Sequence, residues 1–118
     1  MGIKYIDFGT FLEKDADYNP YVLQSVDSLN SKICDFVLGF CRTGQGVNIL
    51  ANKQENVRAA LVTDEYTAEM ARRHNCANFF SIPQKYTDLN SLKHIIKKLK
   101  ESSFDGGRHM TRVSSSFK

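Results

Sequence analysis

Short apolar runs alternate with helical patterns along almost the whole of this 118-residue chain. Such alternation predicts βαβ units built around a mostly parallel sheet. The strands are expected at residues 3–8, 35–40, 58–62 and 78–82. Helices are expected over residues 20–29, 47–52, 63–73 and the segment that follows Asp88, where leucine and isoleucine recur at helical spacing. The length is that of one domain, residues 1–118, whose polar tail from about residue 102 is by composition compatible with disorder.

Charge and hydropathy exclude two classes of partner. A formal net charge of +3 is too small to indicate a nucleic-acid-binding protein, and no stretch is long and apolar enough to cross a bilayer. The chain starts with a strand-like run instead of a signal sequence, so we expect a cytoplasmic protein. The three cysteines are odd in number and irregular in spacing, which predicts free thiols and no metal site.

The most informative segment is the turn that follows the second predicted strand, Cys41-Arg42-Thr43-Gly44-Gln45-Gly46. Open α/β sheets bind ligands at such strand ends. A small-residue turn beside a helix N-terminus directs several backbone N–H groups at one point, which stabilises an anion or a developing oxyanion. The same dipoles favour the thiolate of Cys41, which makes it a candidate base or nucleophile. The alternative is a cysteine that only fills the end of the strand.

Two further clusters contain groups that could transfer protons or bind a phosphate. His74 can move protons near neutral pH, and Asn75 can donate a hydrogen bond to an oxygen, although a histidine here could also only complement the dipole at a helix end. Arg108 and Arg112 are four residues apart, so that on a helix both guanidinium groups project from one face and suit a shared phosphate. A solvated basic tail is the alternative for this pair.

Six runs of the sequence, taken together, resemble ribose-5-phosphate isomerase B and its relatives, the galactose-6-phosphate isomerase subunits. They follow the family's order over nearly the whole chain: Ile6-Asp7-Phe8-Gly9-Thr10, Cys41-x-Thr43-Gly44-x-Gly46, Ala51-Asn52-Lys53, Arg58-Ala59-Ala60-Leu61, Arg73-His74-Asn75-x-Ala77-Asn78 and Gly106-Gly107-Arg108-His109-x-x-Arg112-Val113. The resemblance implies a Rossmann- or flavodoxin-like three-layer α/β sandwich with a mostly parallel sheet. It also implies a sugar-phosphate isomerase that needs no cofactor and forms a homodimer or tetramer with shared active sites.

The resemblance further implies a role for each site residue. Cys41 would be the base that shuttles a proton between C1 and C2, assisted at the oxygens by Thr43 and the loop amides of Gly44 and Gly46. His74 would open the furanose ring, and Asn75 would stabilise the enediolate. The phosphate would be bound by three basic residues, Lys85, Arg108 and Arg112.

The sequence departs from the family pattern in three places. Arg42 stands where the family has a loop glycine, and Lys85 stands where it more usually has arginine. Family members begin with a strand and helix that carry an Asp-His pair, whereas this chain begins at their second strand. In the strand order 2-1-3-4-5, residues 3–8 would therefore lack their neighbour. Three explanations remain open: a fragment, a partner chain that fills the gap, or a different strand pairing.

Overall fold

Helices and strands alternate in the computed structural model, which describes residues 3–9 and 17–116. The elements are α1 Asn19–Asn30, β1 Val37–Cys41, α2 Gln45–Asn52, β2 Ala59–Leu61, α3 Glu65–Arg73, β3 Phe79–Pro83, a 3-10 turn Gln84–Tyr86, α4 Leu89–Glu101 and α5 Arg108–Ser116. Among these described residues, no helix combines the length and the apolar character that a membrane span requires.

Local signals in the sequence account for the starts of three helices. Pro20 occupies the first turn of α1, where its missing N–H costs nothing. Asp64 accepts a hydrogen bond from the Thr67 amide, and the Thr67 hydroxyl accepts one from the Asp64 amide, which together form a capping box before α3. Asp88 caps α4 through the Ser91 amide. Predictions for these helices are confirmed.

The sheet is the middle layer of a three-layer core. All strand pairs in the described residues are parallel. The strand order is β1-β3-β2, with Phe79 in register with both Val37 and Ala59. Every residue of β3 is buried. On one face Phe80 and Ile82 pack among apolar side chains of α3 and α4, and on the other face Phe79 packs among those of α1 and α2. This arrangement confirms the predicted α/β sandwich.

The strand order differs from the predicted one. In the family order 2-1-3-4-5, residues 3–8 count as strand 2, and β1, β2 and β3 correspond to strands 3, 4 and 5. That order would place β2 between β1 and β3, whereas β3 is the central strand in the structure. The physical reason is burial: β3 is covered on both faces and at both edges, while the three residues of β2 are only half-buried and suit a sheet edge.

One further prediction, the strand at residues 3–8, is wrong. Residues 3–9 form neither helix nor strand, and Tyr5 and Ile6 are 85% and 59% exposed. None of the three strands of the described sheet pairs with this segment, and a lone strand has no ladder to join. Thr10, the last residue of the first motif, lies outside the described residues. Of the alternatives for the polar tail, the structure has the helical one, since α5 forms there and buries Val113.

Candidate active site

The carboxyl edge of the sheet carries the first group of predicted site residues. Because the strands are parallel, their carboxyl ends meet at one edge. Cys41 is the last residue of β1, in register with Pro83, and its side chain is half-buried. The loop from Arg42 to Gly44 then leads into α2, so Cys41 precedes the N-cap of this helix by three residues.

This loop is held against the sheet by hydrogen bonds from the β3 side. The Ser81 hydroxyl donates to the Gly44 carbonyl, and the Lys85 amide donates to the Arg42 carbonyl at 3.0 Å. The Gln45 amide donates to Thr43 Oγ1 at 3.4 Å. Lys85 therefore belongs to the same edge as the thiol.

Glycine is required at Gly44, which adopts φ +79° at the N-cap of α2. A Cβ there would lie 2.5 Å from Leu61 Cδ1, so the backbone rests directly on the sheet. At Arg42, by contrast, φ lies outside the positive region, which among described non-glycine residues is occupied by Lys32, Asn56 and Cys76. Replacement of the family's glycine by arginine at this position therefore causes no positive-φ strain in the backbone. The Arg42 side chain is exposed.

Two residues that the sequence analysis did not single out also approach this loop. Tyr18 packs on Gly46, where a Cβ would lie 2.2 Å from the phenol oxygen. Ser81, the second, is a fully buried serine in an otherwise apolar strand. A single serine in an otherwise apolar strand is a signal that could have been found in the sequence. No local sequence pattern, in contrast, connects Tyr18 to the loop.

The second group of predicted residues lies at the amino edge of the sheet. Helices α3 and α4 return from the carboxyl ends of β2 and β3, so they end at the opposite edge. His74 directly follows α3, and its imidazole stacks on that of His109, with ring centroids 4.1 Å apart and an interplanar angle of 11°. Arg108 begins α5, and Arg112 follows one turn later on the same helix.

Asp105 links these two histidines to α3. Its carboxylate lies 3.8 Å from His74 Nε2 and 3.2 Å from the Arg73 guanidinium, and its amide donates to the Arg73 carbonyl at 2.9 Å. The hydrogen bond from Arg73 holds the pKa of Asp105 below its usual range, so this carboxylate stays charged. The loop before α5 is thereby anchored next to His74.

The second imidazole of the stacked pair, that of His109, is buried, and its pKa lies below the ordinary histidine value. Only 8% of this residue is exposed, and burial lowers its pKa, as do the positive charges of His74, Arg108 and Arg112, while Asp105 opposes them. His109 is therefore neutral at pH 7, where it can donate or accept a hydrogen bond. The sequence analysis quoted His109 within a motif but assigned it no role.

Asn75 lies beside a cavity of about 300 Å³ at the amino edge, lined among others by Asn52 and Arg58. The Asn75 carbonyl accepts a hydrogen bond from Arg58 Nε at 2.7 Å. This bond fixes the backbone directly after His74, at a residue that is exposed and lines the cavity.

The three groups His74, Asp105 and His109 also bring potential metal ligands within 4.8 Å of one another. Their present geometry does not suit an ion, because a metal at about 2 Å must lie in the plane of each imidazole that binds it. Two nearly parallel rings 4.1 Å apart cannot both meet that condition without turning. The Arg73 guanidinium in addition occupies Asp105.

The two groups of site residues do not meet within one chain, as far as the described residues go. Cys41, Thr43, Gly44, Gly46 and Lys85 lie at the carboxyl edge, whereas His74, Asn75, Arg108 and Arg112 lie at the amino edge. A five-residue strand separates the edges by roughly 13 Å at about 3.3 Å per residue. One site that uses both groups therefore needs the carboxyl edge of one chain to face the amino edge of another.

Comparisons with known proteins match nearly the whole chain. Residues 1–115 match the family model described as Ribose/Galactose Isomerase. Ribose-5-phosphate isomerase B of Escherichia coli is 31% identical over 97% of this chain and 76% of its own length. A putative sugar phosphate isomerase of Rickettsia typhi is 38% identical over 92% of this chain and 75% of its own length.

Solved structures of similar proteins have the same fold. A ribose 5-phosphate isomerase from Thermotoga maritima superposes with a TM-score of 0.94 at 35% identity, covering 98% of this chain and 80% of that one. Ribose-5-phosphate isomerase B from Mycoplasma genitalium, solved with bound ribulose-5-phosphate, superposes with a TM-score of 0.84 at 30% identity, covering 91% of this chain and 71% of that one. The chain therefore belongs to the ribose/galactose isomerase family of sugar-phosphate isomerases.

Proposed function

We propose that this chain interconverts an aldose phosphate and a ketose phosphate through a cis-enediolate, with ribose 5-phosphate and ribulose 5-phosphate as the first pair to test. The observation that carries the proposal is the position of Cys41 at the carboxyl end of a parallel strand, directly before a glycine turn and the start of a helix. Relatives named ribose-5-phosphate isomerase B, one of them solved with bound ribulose-5-phosphate, support the choice of substrate.

At the carboxyl edge, Cys41 acts as the base. As the thiolate it removes a proton from the carbon next to the carbonyl and returns it to the neighbouring carbon. The negative charge that develops on the oxygens is stabilised by the Thr43 hydroxyl and by the loop amides of Gly44 and Gly46. A proton transfer between adjacent carbons requires a base, oxyanion donors and an anchor, and involves no change that calls for a redox cofactor.

At the amino edge, His74 opens the furanose ring by proton transfer, and Asn75 stabilises the enediolate. Arg108 and Arg112 bind the phosphate from their shared helix face, joined by Lys85 from the opposite edge. Binding of this remote group positions the reacting carbons against the thiol. The stacking of His74 on His109 and its contact with Asp105 support this role, since both fix the plane of the imidazole.

Because the two groups lie at opposite edges, each active site combines two chains of a homodimer or tetramer. The partner is thus a second copy of this chain, and the substrate is a phosphorylated sugar, with neither nucleic acid nor membrane involved. A cytoplasmic location stays a prediction from the sequence.

The test is the Cys41→Ala variant, assayed for conversion of ribose 5-phosphate to ribulose 5-phosphate. Loss of the base should lower kcat by about 10²–10⁴ or more while the circular dichroism spectrum is unchanged. Cys34→Ala is the matched control, because burial and then the charge of Asp35 raise the pKa of the Cys34 thiol, which keeps it protonated and inert. Unchanged turnover in Cys41→Ala would refute the assigned base.

A second candidate function is an isomerase-like subunit that binds phosphorylated sugars but needs a complete partner chain for turnover. The observation in its favour is that no described strand pairs with the outer edge of β1, since residues 3–9 are irregular. Full activity of the isolated chain would eliminate this candidate. Activity only after addition of a longer family member would favour it over the homo-oligomeric enzyme.

A further inference from the structure

Ser81 is the one serine that the described sheet buries completely. It lies in the middle of β3, in register with Gly39 on one side and Leu61 on the other. An unpaired hydroxyl at such a position is costly, so its bonding partner matters. That partner is not in the sheet: the hydroxyl donates to the carbonyl of Gly44, 37 residues away along the chain.

The direction of the Ser81 side chain explains this contact. Successive residues of a strand face opposite sides, so Ser81 shares the face of Phe79, which packs among the residues of α1 and α2. Gly44 is the N-cap of α2 and lies on that same face, where an added Cβ would be 3.3 Å from Ser81 Oγ. The central strand β3 therefore contacts the start of α2 and holds it through this hydrogen bond.

This bond and the one from the Lys85 amide to the Arg42 carbonyl fix two carbonyls of the loop on the β3 side. The peptide planes in between are thereby set, and with them the directions of the loop N–H groups. The Gln45 amide donates to Thr43 Oγ1, whereas the next amides of α2, beginning with that of Gly46, have no partner within their own helix and are available to an anion. Small rotations of these planes would move the donors away from the substrate oxygens.

We propose that Ser81 is a positioning residue, whose hydroxyl holds the Gly44 carbonyl on the central strand and so aims the loop amides at the oxygens of the reacting sugar. The inference rests on the proposed function. It adds to that function a residue which does not touch the substrate and acts through the loop.

The test compares Ser81→Ala with Ser25→Ala in the full-length protein. Ser25 is also buried, and its hydroxyl donates to a backbone carbonyl, that of Val22, within α1 and away from the loop. Both variants lose one buried hydroxyl and should lose similar thermal stability. Only Ser81→Ala should lower kcat, by roughly 10- to 100-fold, with KM changed by less than about twofold. The reason is that misdirected donors weaken binding of the transition state more than binding of the ground state.

Amide hydrogen exchange of residues 41–48, followed by mass spectrometry, supplies a readout that is independent of turnover. Exchange should be faster in Ser81→Ala than in the wild type, and unchanged in Ser25→Ala. If Ser81→Ala matches Ser25→Ala in both kcat and loop exchange, the inference is overturned while the isomerase proposal stands. If the wild type isomerises no sugar phosphate, the proposed function fails, and the exchange result alone decides whether Ser81 holds the loop.

Discussion

Gly44 combines a left-handed backbone with a crowded Cβ position, and the cost of replacing it can be worked out term by term. At φ +79° an alanine incurs a strain of about 1–2 kcal/mol. Its methyl group would also lie 2.5 Å from Leu61 Cδ1 and 3.3 Å from the Pro83 amide nitrogen, and such overpacking costs about 1–3 kcal/mol. Gly44→Ala should therefore lower the free energy of unfolding by about 2–5 kcal/mol.

Gly107→Ala is the matched control for this prediction. Gly107 also has positive φ, +54°, but no atom lies within 4 Å of its Cβ position, so only the strain of about 1–2 kcal/mol applies. The entropy that alanine removes from the unfolded chain is the same in both variants and cancels. Urea unfolding at one fixed protomer concentration measures both losses. Equal losses in the two variants would refute the claim that the Gly44 backbone rests on the sheet.

Two further predictions concern charge and capping. Because burial lowers the folded-state pKa of His109, the unfolded chain protonates first as the pH falls, so stability present above pH ~6.5 is lost below it. The unfolding free energy of His109→Gln should fall less steeply between pH 7 and 5 than that of the wild type, and parallel curves would contradict this. Asp64→Ala removes the acceptor for the Thr67 amide and should cost about 1 kcal/mol by thermal unfolding with turnover unchanged; an unaltered Tm would contradict the role of the cap.

The elements that local signals define could be predicted from the sequence. Helix α4 follows from the Asp88 cap and the leucines and isoleucines at helical spacing behind it. The order of the strands could not be predicted, since alternation of strands and helices does not specify which strand occupies the centre. Helix α5 was only one of the alternatives for its segment, because the polar composition is also compatible with disorder. Tertiary contacts of His109 and Val113 hold the helix in place.

In the candidate site, too, features that depend on neighbouring residues could be predicted and long-range contacts could not. The Cys41 loop could be predicted because strand, glycines and helix start are adjacent in sequence. The bond from Ser81 to this loop spans 37 residues and depends on the strand register, which no local pattern contains. The separation of Cys41 from His74 follows likewise from the parallel topology, and it supports our proposal that each active site combines two chains.

Complementation between two inactive variants tests that requirement most directly. Cys41→Ala and the double variant Arg108→Ala/Arg112→Ala each damage one group of site residues, so neither alone should isomerise ribose 5-phosphate. After joint unfolding and refolding in equal amounts, about half of the dimers are mixed, and each mixed dimer has one intact site of two, which predicts about one quarter of wild-type activity. Activity no higher than that of the separate variants would contradict an active site shared between opposite edges of two chains.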